Sequence, residues 1–537
     1  MHPLELIKKF HSIHSLIRRR SPGTPRSLLV NMCLPFRYSI SAIIALCIVT
    51  GSGILFSGSA SDSAKHWVGT WACSPYMAQS QNKSPVSFDN YTVRQIVRVS
   101  IGGDTVRVKF SNSTCSTPVI IKSANIAVSP DGTKSAVTAS TMTKLTFKGD
   151  SSVTIRAKGT AVSDPVAFNL KPSARIAITI FYGQCKSTDD MTFHYGSRTN
   201  SYYLSGDKTS SADFSGSSPI EKWFTICGID VLAPKTAAAV VAFGNSITDG
   251  FGLTGGLQNR WTDAFSEKLL ANPATAQVGV LNEGIGATLV TQASNGAAAG
   301  TQRFQPDVLD QAGVRWIIIL YGVNDINAGV SSGTITNGYK TMITQAHAKN
   351  IKVYGGTLTP FKNSNYYSAS NESTRNSINA WIRAAGNFDG VIEFDKAIQD
   401  PKDPAAMQAS LSNGGLHPSD AGYKKMGECI DLKLFSDPTP VIAPKETKNQ
   451  GYGLGEMSVN PKNGNTVVEY QTTDEGFVSL KVYSMLGKEI VELAGKKNSS
   501  GRHAVEFESK NLPKGMYLIS MKAGGFSASK NLMLPIR

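Results

Sequence analysis

Residues 240–250 read VVAFGNSITDG. An apolar run closes on Gly244, and the small polar residues Asn245 and Ser246 follow at once. A short continuous apolar run bounded by turn residues is the mark of a strand buried on both faces. The same rhythm recurs downstream. Apolar runs at 237–243 (AAAVVAF), 276–281 (AQVGVL), 315–321 (RWIIILY), 351–357 (IKVYGGT) and 391–394 (VIEF) alternate with helix candidates at 261–270, 332–350, 372–385 and 419–434. Buried strands alternating with helices predict an α/β domain with a parallel sheet over 236–435. In such sheets the carboxyl ends of the strands line the functional crevice. Those ends carry Asn245–Ser246, 282–288 (NEGIGAT) and 321–327 (YGVNDIN), and a late loop, 413–423 (NGGLHPSDAGY), adds His417. Ser246, the 284–288 loop, Asn324 and His417 are thus expected on one edge of the sheet. In isolation each has a plainer reading: a helix cap for the serine, a turn for Asn324–Asp325, a loop histidine for His417.

Outward from this core the pattern changes. The chain has 537 residues, enough for about three domains. Residues 65–235 show strand alternation at 93–100 and 105–111, joined by IGGD, a hairpin signal, with further β-rich runs at 152–155, 166–170 and 174–182. They predict a β-sandwich. Trp67, Trp71 and Trp223 belong to its core or to a sugar-stacking platform. Residues 436–458 are rich in Pro, Gly and polar residues and predict a linker, and 459–537 are again β, a small sandwich. Residues 1–64 predict a leader: basic residues up to Arg37, an apolar run at 38–56, then small residues ending at Ala60 or Ala64. The competing reading of that run is an uncleaved anchor. No other segment is apolar for long enough to span a bilayer.

The formal net charge is +15, from 54 Lys and Arg against 39 Asp and Glu. The excess is spread along the chain, with no basic stripe interleaved with aromatics, which argues against nucleic acid as a partner. Seven cysteines without a CxxC or Cys/His cluster argue against a zinc site. If the protein is exported, one or two disulfides between Cys73, Cys115, Cys185 and Cys227 are plausible.

The four strand-end segments, taken in order, resemble the four blocks of the SGNH (GDSL-type) hydrolases: a serine in G-D-S, a glycine, G-x-N-D and D-x-x-H-P. The similarity runs from about 237 to 434 and includes 357–361 (TLTPF) and 394–404 (FDKAIQDPKDP). Residues 66–75 (HWVGTWACSP) resemble the opening of the β-sandwich that precedes a subset of these hydrolases, among them arylesterase-like proteins of xylan-degrading bacteria. Residues 459–537 resemble the Ig-like C-terminal sorting domains of type IX secretion substrates, through Asn460–Pro461, 479–487 (SLKVYSMLG) and 512–517 (LPKGMY). An ordinary binding or spacer sandwich is the alternative for this tail.

The resemblance implies a three-layer α/β hydrolase domain and acyl-ester hydrolysis without metal or organic cofactor. Ser246 would be the nucleophile and His417 its base. The backbone N–H groups of Ser246 and Ala287 and the side-chain amide of Asn324 would hold the oxyanion. The expected substrate is an acetylated plant cell-wall polysaccharide such as xylan. The alternatives are a lapsed esterase that still binds polysaccharide, and a lipase or arylesterase acting on small esters. The tail would engage the export machinery, leaving the protein secreted or on the cell surface with no membrane span after processing. Three positions depart from the family pattern. Asn245 stands for Asp, and Ala287 for the oxyanion glycine. Gly414 stands three residues before His417, where the family has the Asp that orients the imidazole.

Overall fold

The computed structural model describes residues 65–436, 453–459, 465–484, 489–513, 515–523 and 526–534. The expected leader, most of the expected linker, Asn460–Pro461 and Arg537 lie outside the described residues.

The first region is strand-rich. Its long strands are β1 (Lys65–Ala72), β2 (Tyr91–Arg98), β3 (Gly103–Asn112), β4 (Val119–Val128), β5 (Arg175–Gln184) and β6 (Ile226–Pro234). One sheet runs β1-β6-β3, extended by Gly159–Val162. A second contains β2-β5-β4, with Ser201–Ser205 on the outer side of β2. The expected 93–111 hairpin does not form. β2 pairs with β5 and with Ser201–Ser205, whereas β3 pairs with β6. β2 is buried along its whole middle, Arg94 included, so it needs neighbours on both edges. The 101–104 segment serves as a crossover between sheets, fastened to β1 where Thr70 Oγ1 donates to the Ile101 carbonyl (2.6 Å) and Ser100 Oγ donates to the Thr70 carbonyl (2.7 Å). Trp71 and Trp223 are buried edge to face at 5.0 Å, as core residues.

The expected disulfides are not found. Cys73, Cys115, Cys185, Cys227 and Cys429 are all free. Burial pushes the Cys185 and Cys227 thiols up to about 12, away from thiolate chemistry.

The second region is built on five parallel strands, β7 (Ala238–Gly244), β8 (Val278–Gly284), β9 (Val314–Leu320), β10 (Lys352–Gly356) and β11 (Gly390–Ile392), in the order β8-β7-β9-β10-β11. β7 is buried at every residue because it has a strand on each side and elements on both faces, which is why its sequence shows no polar alternation. The order reverses at β7, so the crevice opens beyond its carboxyl end, between the exits of β7 and β9. Of the helices α1 (Ser246–Asp249), α2 (Trp261–Leu270), α3 (Val323–Asn327), α4 (Ser332–His347), α5 (Ala369–Arg383) and α6 (Asp420–Cys429), α2, α4, α5 and α6 fall close to expectation, and the short α1 and α3, at the exits of β7 and β9, were not expected. α6 is shorter than expected. Ile430 is extended, and Asp431 caps a separate short turn, Leu432–Phe435.

The strand-rich and α/β regions share one apolar core. β1 lies so close to β8 that a Cβ on Gly279 would stand 2.2 Å from the Gly69 carbonyl oxygen. Val280 N donates to Ser100 Oγ (2.9 Å) and Gly69 N to the Ala312 carbonyl (2.9 Å).

The C-terminal strands form a β unit with its own core of Val468, Val478, Leu480, Val482, Ile519 and Met521. One sheet pairs Gly453–Val459, Thr466–Thr472 and Gly501–Phe507. The other orders Glu489–Asn498, Gly476–Ser484, Gly515–Ala523 and Phe526–Leu534. Gly453–Val459 is a strand, so the β structure begins inside the stretch expected to be linker. Among the described residues no helix is long and apolar enough to cross a membrane.

The β1–β8 contact predicts the effect of a single methylated side chain. Gly279→Val should force the two backbones apart and cost about 1–3 kcal/mol, read as a lower urea midpoint for unfolding of residues 65–436.

Candidate functional site

β7 ends at Gly244, and the chain turns at once into α1. Asn245 caps that turn: its side chain accepts from Ile247 N (3.1 Å). The capping role that a serine after a strand usually takes therefore falls to Asn245, and the Ser246 hydroxyl is left free. Ser246 Oγ lies 2.9 Å from His417 Nε2, across 171 residues of sequence. His417 arrives on a short two-strand ladder, in which Asn413 pairs with His417.

Ser246, Gly286, Ala287, Asn324 and His417 line one pocket of about 490 Å³. The four expected positions, Ser246, the 284–288 loop, Asn324 and His417, thus meet at the crevice beyond β7. Ala287 adopts φ +58°, the left-handed backbone that favours glycine. The loop is braced from outside by Ser294 Oγ donating to the Ala287 carbonyl (2.9 Å) and Asn295 Nδ2 to the Gly286 carbonyl (2.8 Å). Asn324 sits in α3. Its Nδ2 donates to the Thr288 carbonyl (2.8 Å), and its Oδ1 accepts from the Tyr366 hydroxyl (3.2 Å). An amide nitrogen has two hydrogens, so one remains for the pocket. Asp325 is buried and turned away, accepting from Val290 N, Thr291 N and Thr291 Oγ1. It holds the loop after β8 in place.

Gly414 has φ +67°, and a Cβ built there meets nothing within 4 Å. Among the described residues no hydrogen-bond partner reaches His417 Nδ1. The imidazole instead packs on Phe251, ring centroids 4.6 Å apart. Phe251 is itself fixed through its backbone: its N donates to the Ser246 carbonyl (2.9 Å), and its carbonyl accepts from the Tyr423 hydroxyl (2.8 Å).

Beneath the serine lies a buried charge network that sequence reasoning missed. Asp249, three residues after Ser246, accepts from Arg198 Nη2 (2.6 Å), and His194 Nε2 lies 3.1 Å from its other oxygen. Both partners come from the strand-rich region. Arg260 ties the same turn to that region, donating to the Asp249 and Ser197 carbonyls (3.0 and 2.7 Å). Burial works against the Asp249 carboxylate, but Arg198 and His194 outweigh it and hold it below the usual carboxylate range. Asp249 stood in the first segment quoted above. A carboxylate one helical turn past the serine was its only signal, and Arg198 and His194 had none.

Burial pushes His417 down to about 4, with the Arg198 cation helping and Asp249 opposing. An imidazole acts as a base only when neutral. It is neutral here down to about pH 4, whereas an imidazole in water titrates near 6.5. Any reaction that needs His417 as base should therefore keep its rate on acidification until about pH 4, and a kcat/KM profile against pH should show its acid limb there.

A model of the GDSL-like lipase/acylhydrolase family matches residues 242–425, and one of a secretion-system C-terminal sorting domain matches residues 460–535. Among solved structures, a member of the lipolytic protein G-D-S-L family from Veillonella parvula aligns at 19% identity over 37% of this chain and 100% of its own, TM-score 0.29. A GDSL-like lipase from Bacteroides thetaiotaomicron aligns at 19% identity over 38% of this chain and 88% of its own, TM-score 0.29. No curated protein matches the chain significantly.

Proposed function

We propose that this chain, which carries a GDSL-like lipase/acylhydrolase domain and a C-terminal sorting domain, is an exported serine esterase that removes acyl groups, chiefly acetyl, from plant cell-wall polysaccharide such as xylan. The domain and the tail by themselves make it a secreted esterase or lipase. The polysaccharide substrate rests on the resemblance of the front region and on export. We assign residues 65–235 to a β-sandwich, 236–435 to the hydrolase domain and 459–537 to the sorting domain, an Ig-like sandwich.

The observation that carries the reading is the 2.9 Å contact between Ser246 Oγ and His417 Nε2. A serine hydroxyl is a poor nucleophile at neutral pH, and a neutral imidazole within hydrogen-bond reach corrects that. Ser246 Oγ attacks the ester carbonyl as His417 Nε2 takes its proton. His417 returns that proton to the leaving sugar oxygen as the C–O bond breaks, so the sugar departs as a hydroxyl, and water then repeats the sequence on the acyl-enzyme. The negative oxygen of each tetrahedral intermediate is held by the N–H groups of Ser246 and Ala287 and by Asn324 Nδ2. Each such donor is worth ~3–4 kcal/mol. The left-handed backbone at Ala287 supports this role, because it is the conformation that favours the glycine of the family pattern.

In place of a triad carboxylate, ring packing by Phe251 orients His417. Packing fixes the ring plane but does not select the tautomer or stabilise the imidazolium. The absence of an acid at 414 is the observation that keeps the second reading, a lapsed esterase that binds polysaccharide, in play.

Hydrolysis of a short-chain aryl acetate separates the two. Wild type should turn over, and Ser246→Ala should lose activity by at least about a thousandfold. Equal rates would eliminate this serine as the nucleophile. A preference for acetyl over long acyl chains separates a polysaccharide deacetylase from a lipase.

Gly414→Asp is expected to raise kcat by about tenfold or more, since removing the orienting acid from a serine protease costs about 10⁴. Asp tolerates left-handed backbone better than most residues, and the space is open. Comparison of kcat for the two proteins on the same aryl acetate checks it.

A further inference from the structure

The pocket around Ser246 is larger than an acyl group needs, and about 490 Å³ falls in the range that holds a whole ligand. The strand-rich region supplies part of its wall, Tyr195, Arg198 and Lys222 among it, and the α/β region the rest. Tyr195 and Phe251 are both 46% exposed, unusual for large rings, and flat exposed rings beside a catalytic pocket suit the faces of sugars.

The charges on the wall do not balance. Arg198 is neutralised by Asp249 at 2.6 Å, and Asp249 is the one carboxylate among the lining residues. Lys222 also lines the pocket, with its Nζ 5.5 Å from the centroid of the Tyr195 ring. Among the described residues its ammonium meets no carboxylate. Glu221, next in sequence, is exposed, is not part of the lining and makes no ion pair with it. Burial lowers the Lys222 pKa, and no acidic group offsets that. The backbone at Lys222 is fixed: its N donates to the Ile220 carbonyl (3.0 Å), its carbonyl accepts from Ser201 Oγ (2.6 Å), and the next residue, Trp223, is in the core. A half-buried cation on the wall of a pocket, with its backbone fixed and no counter-ion beside it, suits an anion.

We propose that the polysaccharide carries an acidic sugar at or beside the esterified one, and that Lys222 with Tyr195 forms a subsite for its carboxylate, or for a sulfate in the same position. The subsite rests on the esterase reading for its purpose but is tested by binding alone. Full-length Ser246→Ala protein is titrated in a calorimeter with oligogalacturonate, with a sulfated oligosaccharide and with a neutral xylo-oligosaccharide, each with and without Lys222→Gln. At low salt one anionic probe should bind about tenfold more tightly than the neutral one, the weight of one charge-assisted hydrogen bond. Lys222→Gln should erase that margin and Lys222→Arg should keep it. Whichever anionic probe shows the margin identifies the group. Equal affinity for all three probes, or a margin that survives Lys222→Gln, overturns the subsite. Loss of aryl acetate hydrolysis in wild type would overturn the esterase reading and leave this binding result standing.

Discussion

A buried ion pair between Asp249 and Arg198 joins the turn that carries Ser246 to the strand-rich region. Both side chains are out of solvent, so neither tolerates losing the other, and breaking such a pair costs ~3–5 kcal/mol because an unpaired charge stays behind. Asp249 sits one turn beyond Ser246, and Arg198 and His194 sit on the strand-rich region. The position of the serine is thereby referred to that region as well as to the sheet that supports it. The shared apolar core and the β1–β8 contact act in the same direction. The front region is part of the site's frame and forms one wall of its pocket.

The departures from the family pattern make physical sense once this frame is seen. Asn245 keeps the capping function of the usual aspartate, because the cap needs only an oxygen facing Ile247 N. Ala287 keeps the left-handed turn at some strain, braced by Ser294 and Asn295. Gly414 has no such substitute in kind. What stands against His417 is an aromatic face, and with Arg198 5.2 Å from that same ring the surroundings disfavour a second proton on the imidazole. The site thus favours an imidazole that stays neutral in acid over one that is stabilised once protonated.

Export also sets constraints. A sorting domain marks the chain for the cell surface or the medium. The described cysteines nevertheless stay free, and burial raises the pKa of Cys73, Cys185 and Cys227, away from thiolate chemistry.

The parallel sheet was legible in the sequence because strands buried on both faces must be apolar throughout, and 237–243 and 315–321 are. Ser246 and Asn324 were legible because parallel topology sends every strand exit to one edge, so residues at successive exits meet, and His417 was legible as the histidine of the late loop that completes the four segments. The strand partners of 93–100 were not legible. Alternation says that a segment is a strand, but the choice between β3 and β5 depends on which face is covered, and that is decided by distant packing. Arg198, His194, Phe251 and Lys222 had no signal either. Arg198 and Lys222 reach the pocket from the front region, His194 reaches Asp249 from there, and Phe251 comes from the turn after Ser246; the electrostatic role of a side chain depends on what surrounds it in space. The order of chemical groups along one sheet edge was written in the chain; the charge, shape and orientation around them came only with the tertiary fold.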